Sequence, residues 1–115
     1  MNKSQPLETA HQLFKAFADP TRLRILNLLR EGELCVCNLI DVLELPQSTI
    51  SRHVSYLRRA GLVETREEGT WNHYRLAQPA TRLHKALLAC VGACLGEVAQ
   101  LRHDKQRLST GCKKS

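Results

Sequence analysis

The sequence has no long apolar run. Its longest, Ala86 to Gly96, falls far short of the roughly 20 residues a helix needs to cross a bilayer, so a membrane span is excluded and no membrane partner is expected. The opening MNKSQPLETAHQ lacks the basic-then-apolar pattern of a secretory leader, and the chain reads as cytosolic. No internal repeat or low-complexity linker divides it. The cysteines number five, an odd count that in a reducing compartment fits ligand or redox thiols better than a disulfide framework. No glycine-rich amide nest lies near Cys35 to hold an oxyanion beside a nucleophile, which speaks against a small thiol enzyme. Acidic charge is in deficit, 11 Asp and Glu against 17 Lys and Arg for a net charge of +6. Such an excess is what phosphate binding requires.

What is present fills one domain. At 115 residues and 43% hydrophobic, the chain supports a modest core, excludes disorder throughout, and would gain from dimerisation to bury more apolar surface. Residues 1–108 are expected to form that domain and 109–115, STGCKKS, a disordered tail. The spacing of Leu7, Ala10, Leu13, Phe14 and Phe17 predicts a helix over Leu7 to Ala18. Asp19-Pro20 then caps a second, Pro20 to Arg30, closed by Gly32, with Arg22 and Arg24 on its exposed side.

A third helix, Val36 to Glu44, buries Leu39, Ile40 and Leu43, and Pro46 turns the chain into a fourth, Gln47 to Ala60, ending at Gly61. The pair reads as a helix-turn-helix, whose second helix lies in the DNA major groove. Ile50, Val54 and Leu57 face inward, so Gln47, Ser48, Thr49, Ser51, Arg52 and His53 are the candidate base and phosphate contacts. Alternating residues in Leu62 to Glu67 and Trp71 to Leu76, around the Glu68-Gly69 turn, predict a hairpin wing with Arg66 and Arg75 as further DNA contacts and Trp71 packing it onto the body.

A fifth helix, Pro79 to about Arg107, carries Leu83, Leu87, Cys90, Cys94, Val98 and Leu101 on one seam, assigned to a homodimer interface. Two-fold pairing suits a palindromic double-stranded site. The fold expected is mainly α with a small β-hairpin, in the order α-α-α-α-β-β-α, dimerising through its terminal helices. His11 and His84 read as surface histidines.

Cys35 and Cys37 sit at the entrance to the third helix. Soft thiolates select acceptors such as trivalent arsenic, cadmium, lead, copper(I) and zinc, and the same pair could act by oxidation. Within a regular helix, side chains two apart point about 200° from one another, since each residue turns it by about 100°. The pair would therefore clasp an ion only if the helix start unwinds. Cys90 and Cys94 are one turn apart and share a face without distortion; they are either seam packing or a possible third ligand.

The stretches FKAFADPTRLRILNLL, ELCVCNL, QSTISRHVSYLRRAGLV and REEGTWNHYRL, in that order, resemble the ArsR/SmtB winged-helix repressors, in particular the arsenical-resistance branch. The resemblance implies a repressor that holds its operator without any cofactor and releases it when trivalent arsenic or antimony binds Cys35 and Cys37. It also implies that Ser48 to His53 face the operator. One departure is plain: where members of that branch carry a third cysteine after the pair, this chain has Ile40.

Overall fold

The computed structural model describes residues 6–110. Helix α1 spans Leu7–Phe17 and turns Leu13, Ala16 and Phe17 into the core. Asp19 accepts the Arg22 N–H at 3.0 Å and Pro20 occupies the first turn, starting α2, Pro20–Leu29. After Gly32 the chain runs extended as β1, Leu34–Cys35, and enters α3, Val36–Leu43. Glu44 is left-handed and Pro46 precedes α4, Gln47–Arg59. Gly61, at φ +83, ends α4: its N–H reaches the Arg58 carbonyl and the Leu62 N–H the Leu57 carbonyl, a closure that needs positive φ. Strands β2, Val63–Glu68, and β3, Trp71–Leu76, form the wing.

The sheet is antiparallel in the order β1-β3-β2. Its β1–β3 pairing sets Leu34 opposite Tyr74 and Cys35 opposite His73, joining the start of α3 to the wing. Ile25, Leu26, Leu28, Leu39, Ile50, Leu57 and Leu62 are fully buried at the centre. Tyr74 fastens the wing to this core, whereas Trp71, expected to do so, is 53% exposed at the far end of β3.

The continuous fifth helix does not form. The chain makes α5, Arg82–Ala93, a 3-10 turn, Leu95–Glu97, and then α6, Ala99–Thr110. The break falls at Gly96 and at Val98, whose backbone is extended, and it folds α6 back onto α2 and α3. Polar contacts from α2 and α3 help to hold it there. Asp104, fully buried, pairs with Arg24 through two bonds of 2.8 and 3.0 Å; Asn27 donates to the Leu101 carbonyl; and Arg107 donates to the Asp41 and Val42 carbonyls at the end of α3. The seam is split as a result: Leu101 is buried within the chain, while Cys90, Cys94 and Val98 remain exposed.

Other expectations also shift. His84 is buried, and neither Arg22 nor Arg24 is a free surface charge. Helix α6 continues through Ser109 and Thr110, and residues 111–115, with Cys112, lie outside the described residues. Among the described residues no helix is long and apolar enough to cross a membrane.

Candidate functional site

Cys35 is the residue before α3, not its first turn, and its backbone is extended. This removes the obstacle posed by two-residue spacing, which applies only when both residues are helical. The Cys37 N–H donates to Cys35 Sγ at 3.2 Å, and the two sulfurs lie 2.7 Å apart. The Asn38 side chain reaches back to accept the Cys35 N–H at 3.0 Å, completing a capping box built on a thiol. No unwinding is therefore needed to unite the sulfurs. Cys35 is buried and Cys37 half-buried, so an ion would approach from the side of Cys37. Ile40, in the place of a third cysteine, packs against the core. Among the described residues no group of three or more His, Cys, Asp and Glu is arranged to hold a metal, and neither Cys90 nor Cys94 completes the pair within one chain.

Helix α4 presents Gln47, Ser48 and Arg52 exposed and Thr49 and Ser51 half-buried. His53 turns toward the body instead, with Nδ1 at 3.4 Å from the Arg22 guanidinium and 3.8 Å from Asp19. Burial, with Arg52 and Arg22 nearby, pushes its pKa below the ordinary histidine value against the pull of Asp19. Arg22 is itself a tie: it donates to the Lys15 and Ala16 carbonyls at the end of α1 and stacks 3.9 Å from the Tyr56 ring centre. The outward face of α4 continues to Ser55 and Arg58, which line a groove with Thr65 and Asn72 of the wing. Neither is among the contacts expected from the sequence, although Arg58 belongs to its basic excess and the three- and four-residue steps from Ser48 through Ser51 and Arg52 lead to both.

The wing arginines are already engaged. Arg66 is held by Glu33 and Glu68, and its guanidinium keeps the Glu33 carboxyl below the usual range. Glu33 precedes Cys35 by two residues, and His73, opposite Cys35, lies 3.8 Å from it, so wing and thiol pair share one polar seam. Arg75 pairs with Glu64 across the two strands at 2.9 Å. For either arginine to meet a phosphate it must trade a carboxylate for it.

The model of the family described as "Bacterial regulatory protein, arsR family" matches residues 19–65. An uncharacterized HTH-type transcriptional regulator of Methanocaldococcus jannaschii is 59% identical over 68 residues, 58% of this chain and 76% of that protein. The arsenical resistance operon repressor of Escherichia coli (strain K12) is 55% identical over 67 residues, 57% of each, so this alignment spans little more than half of that relative. Among solved structures, HlyU from Vibrio cholerae N16961 is similar at 40% identity and a TM-score of 0.65, covering 73% of this chain and 88% of that one. With the helix-turn-helix and wing placed as above, the chain belongs to the ArsR family of bacterial regulatory proteins, winged-helix DNA-binding transcriptional repressors and not enzymes.

Proposed function

We propose that this chain is a cytoplasmic homodimeric repressor that binds a palindromic double-stranded operator and releases it when trivalent arsenic or antimony binds Cys35 and Cys37. The observation that carries this reading is the meeting of the two sulfurs at the junction of β1 and α3. The name of the Escherichia coli relative supports the choice of metalloid.

The switch follows from what Cys35 Sγ already does. It is the acceptor for the Cys37 N–H, so an ion bound there, with both thiols giving up their protons, competes with the cap of α3. The same residue pairs with His73 of β3, and α3 packs against α4, so a shift at the junction reaches both the wing and the recognition helix. Inducer and operator then favour different arrangements, and each weakens the other by the same factor. The DNA face comprises Gln47, Ser48, Thr49, Ser51 and Arg52, extended by Ser55 and Arg58, with Arg66 and Arg75 on the wing; His53 positions α4 from behind. No cofactor is needed for DNA binding.

For the dimer, α1 leaves Leu7 and Phe14 exposed, the chain after α5 leaves Val98 exposed, and α1 packs against α5, which together suit one apolar face for a second copy.

The reduced protein on DNA from its own upstream region, followed by fluorescence anisotropy, tests the reading. Arsenite, zinc and peroxide are added separately. Release by arsenite alone is expected, with operator affinity falling steeply as salt rises because bound cations are displaced from the DNA. Release by peroxide alone would make the close thiol pair a redox switch, and release by zinc alone would point to another metal.

A further inference from the structure

The two wing arginines are held in different ways. Arg75 pairs with Glu64, its direct neighbour across the hairpin, so that pair lies wholly within the wing. Arg66 is tied to a segment outside it. Its Nε donates to Glu33 Oε2 at 2.9 Å and its Nη2 donates to the same oxygen, while Nη1 donates to Glu68 at 3.1 Å. Glu33 belongs to the stretch that joins α2 to β1, two residues before Cys35. The sheet sets Arg66 opposite His73 and His73 opposite Cys35, a single row across three strands, and residues directly opposed in this way share a face.

The chemistry of the contact decides what it does. A guanidinium meets a phosphate best through two parallel N–H bonds from one edge. Glu33 fills the edge formed by Nε and Nη2 and Glu68 takes the third nitrogen, so all three nitrogens are engaged. The Arg66 side chain is nonetheless 48% exposed, so a carboxylate and not burial keeps a phosphate from that edge. The guanidinium in turn holds the Glu33 carboxyl below its usual range, and Glu33 therefore meets it as an anion at neutral pH. An exposed pair of this kind is weak enough to be exchanged for another anion.

We infer that Glu33 is an internal stand-in for an operator phosphate: it occupies Arg66 in the free protein, is displaced when the wing meets DNA, and so holds operator affinity below what an unpaired Arg66 would give. The inference rests on the proposed contact of Arg66 with DNA and adds a positioning residue that opposes it. Glu33 and Cys35 lie on one short segment, so the carboxylate that restrains the wing is placed by the same backbone that presents the thiols.

The test is binding to DNA from the protein's own upstream region, without inducer, by the parent, E33Q, R66Q and E33Q/R66Q proteins, followed by fluorescence anisotropy. Glutamine keeps the size of the Glu33 side chain and removes its charge. E33Q is expected to bind about threefold tighter per wing, roughly tenfold for the proposed dimer, the scale of one exposed ion pair. R66Q is expected to bind more weakly than the parent, and E33Q/R66Q to match R66Q, because the gain runs through Arg66. Thermal midpoints should stay near the parent's, since both positions are exposed. Unchanged affinity in E33Q would overturn the assignment. An equal gain from E33Q with and without Arg66 would overturn it too, leaving Glu33 only a negative charge near the DNA. Unchanged affinity in R66Q would instead remove the Arg66 contact on which the assignment rests.

Discussion

At Cys35 the sulfur that accepts the Cys37 N–H is also the atom an inducer would take, and substitution separates the two roles. Serine retains an oxygen able to cap α3, so Cys35→Ser should fold and bind DNA like the parent. Cys35→Ala leaves the N–H without its acceptor and should lower stability by about 1 kcal/mol in urea unfolding. The histidines give a second prediction at this scale. His53 and His84 both lie below their unfolded value of 6.5, chiefly through burial. Above about pH 6.5 both states are neutral there and nothing is lost. As pH falls below it, the unfolded chain takes up protons first, so stability should drop progressively until the folded values are reached. His84→Gln should flatten that slope, read from unfolding midpoints between pH 7 and pH 5. The outward residues of α4 were legible because Ile50, Val54 and Leu57 fix which side is buried. The inward turn of His53 was not, because Asp19 and Arg22, which receive it, lie more than thirty positions away in the chain.

Among the elements, those bounded by local punctuation were readable from the sequence: Asp19-Pro20, Pro46 and Gly61 end or start helices wherever they occur. The β1 strand was not, since two residues show no periodicity and its existence depends on pairing with β3. The break between α5 and α6 was missed for a similar reason. A heptad-like row of apolar residues looks continuous until the partners of Asp104 and Leu101, which are Arg24 and Asn27, come into view. That row supplied the candidate dimer seam, and its second half belongs to the interior of the chain. The pairing makes α6 part of the domain. Asp104→Ala should strand Arg24 beside a cavity and cost about 3 kcal/mol, whereas Arg24→Ala combined with it should cost less than the sum of the two changes, a coupling that a double-mutant cycle in urea measures.

For the molecule as a whole, the proposed mode of DNA binding has two copies acting together. Phe14 is 53% exposed on α1 and contributes little to the fold of one chain, so Phe14→Glu should leave the thermal midpoint of the monomeric domain nearly intact. If α1 and α5 form the two-fold face, sedimentation should show a monomer and operator affinity should fall roughly 100-fold, the scale lost when two tethered sites become one. A dimer that survives this change would place the interface elsewhere. The thiol pair adjoins the wing through the β1–β3 pairing and reaches the recognition helix through α3, and the proposed release of DNA is attributed to that one junction.

The most direct measurement is therefore an arsenite titration of operator complexes formed by the parent, Cys35→Ser and C90S/C94S proteins, followed by fluorescence anisotropy under reducing conditions. The parent and C90S/C94S should release DNA at the same arsenite concentration, and Cys35→Ser should stay bound throughout. Release by Cys35→Ser at the parental concentration, with C90S/C94S remaining on the DNA, would contradict the account and move the sensor to α5.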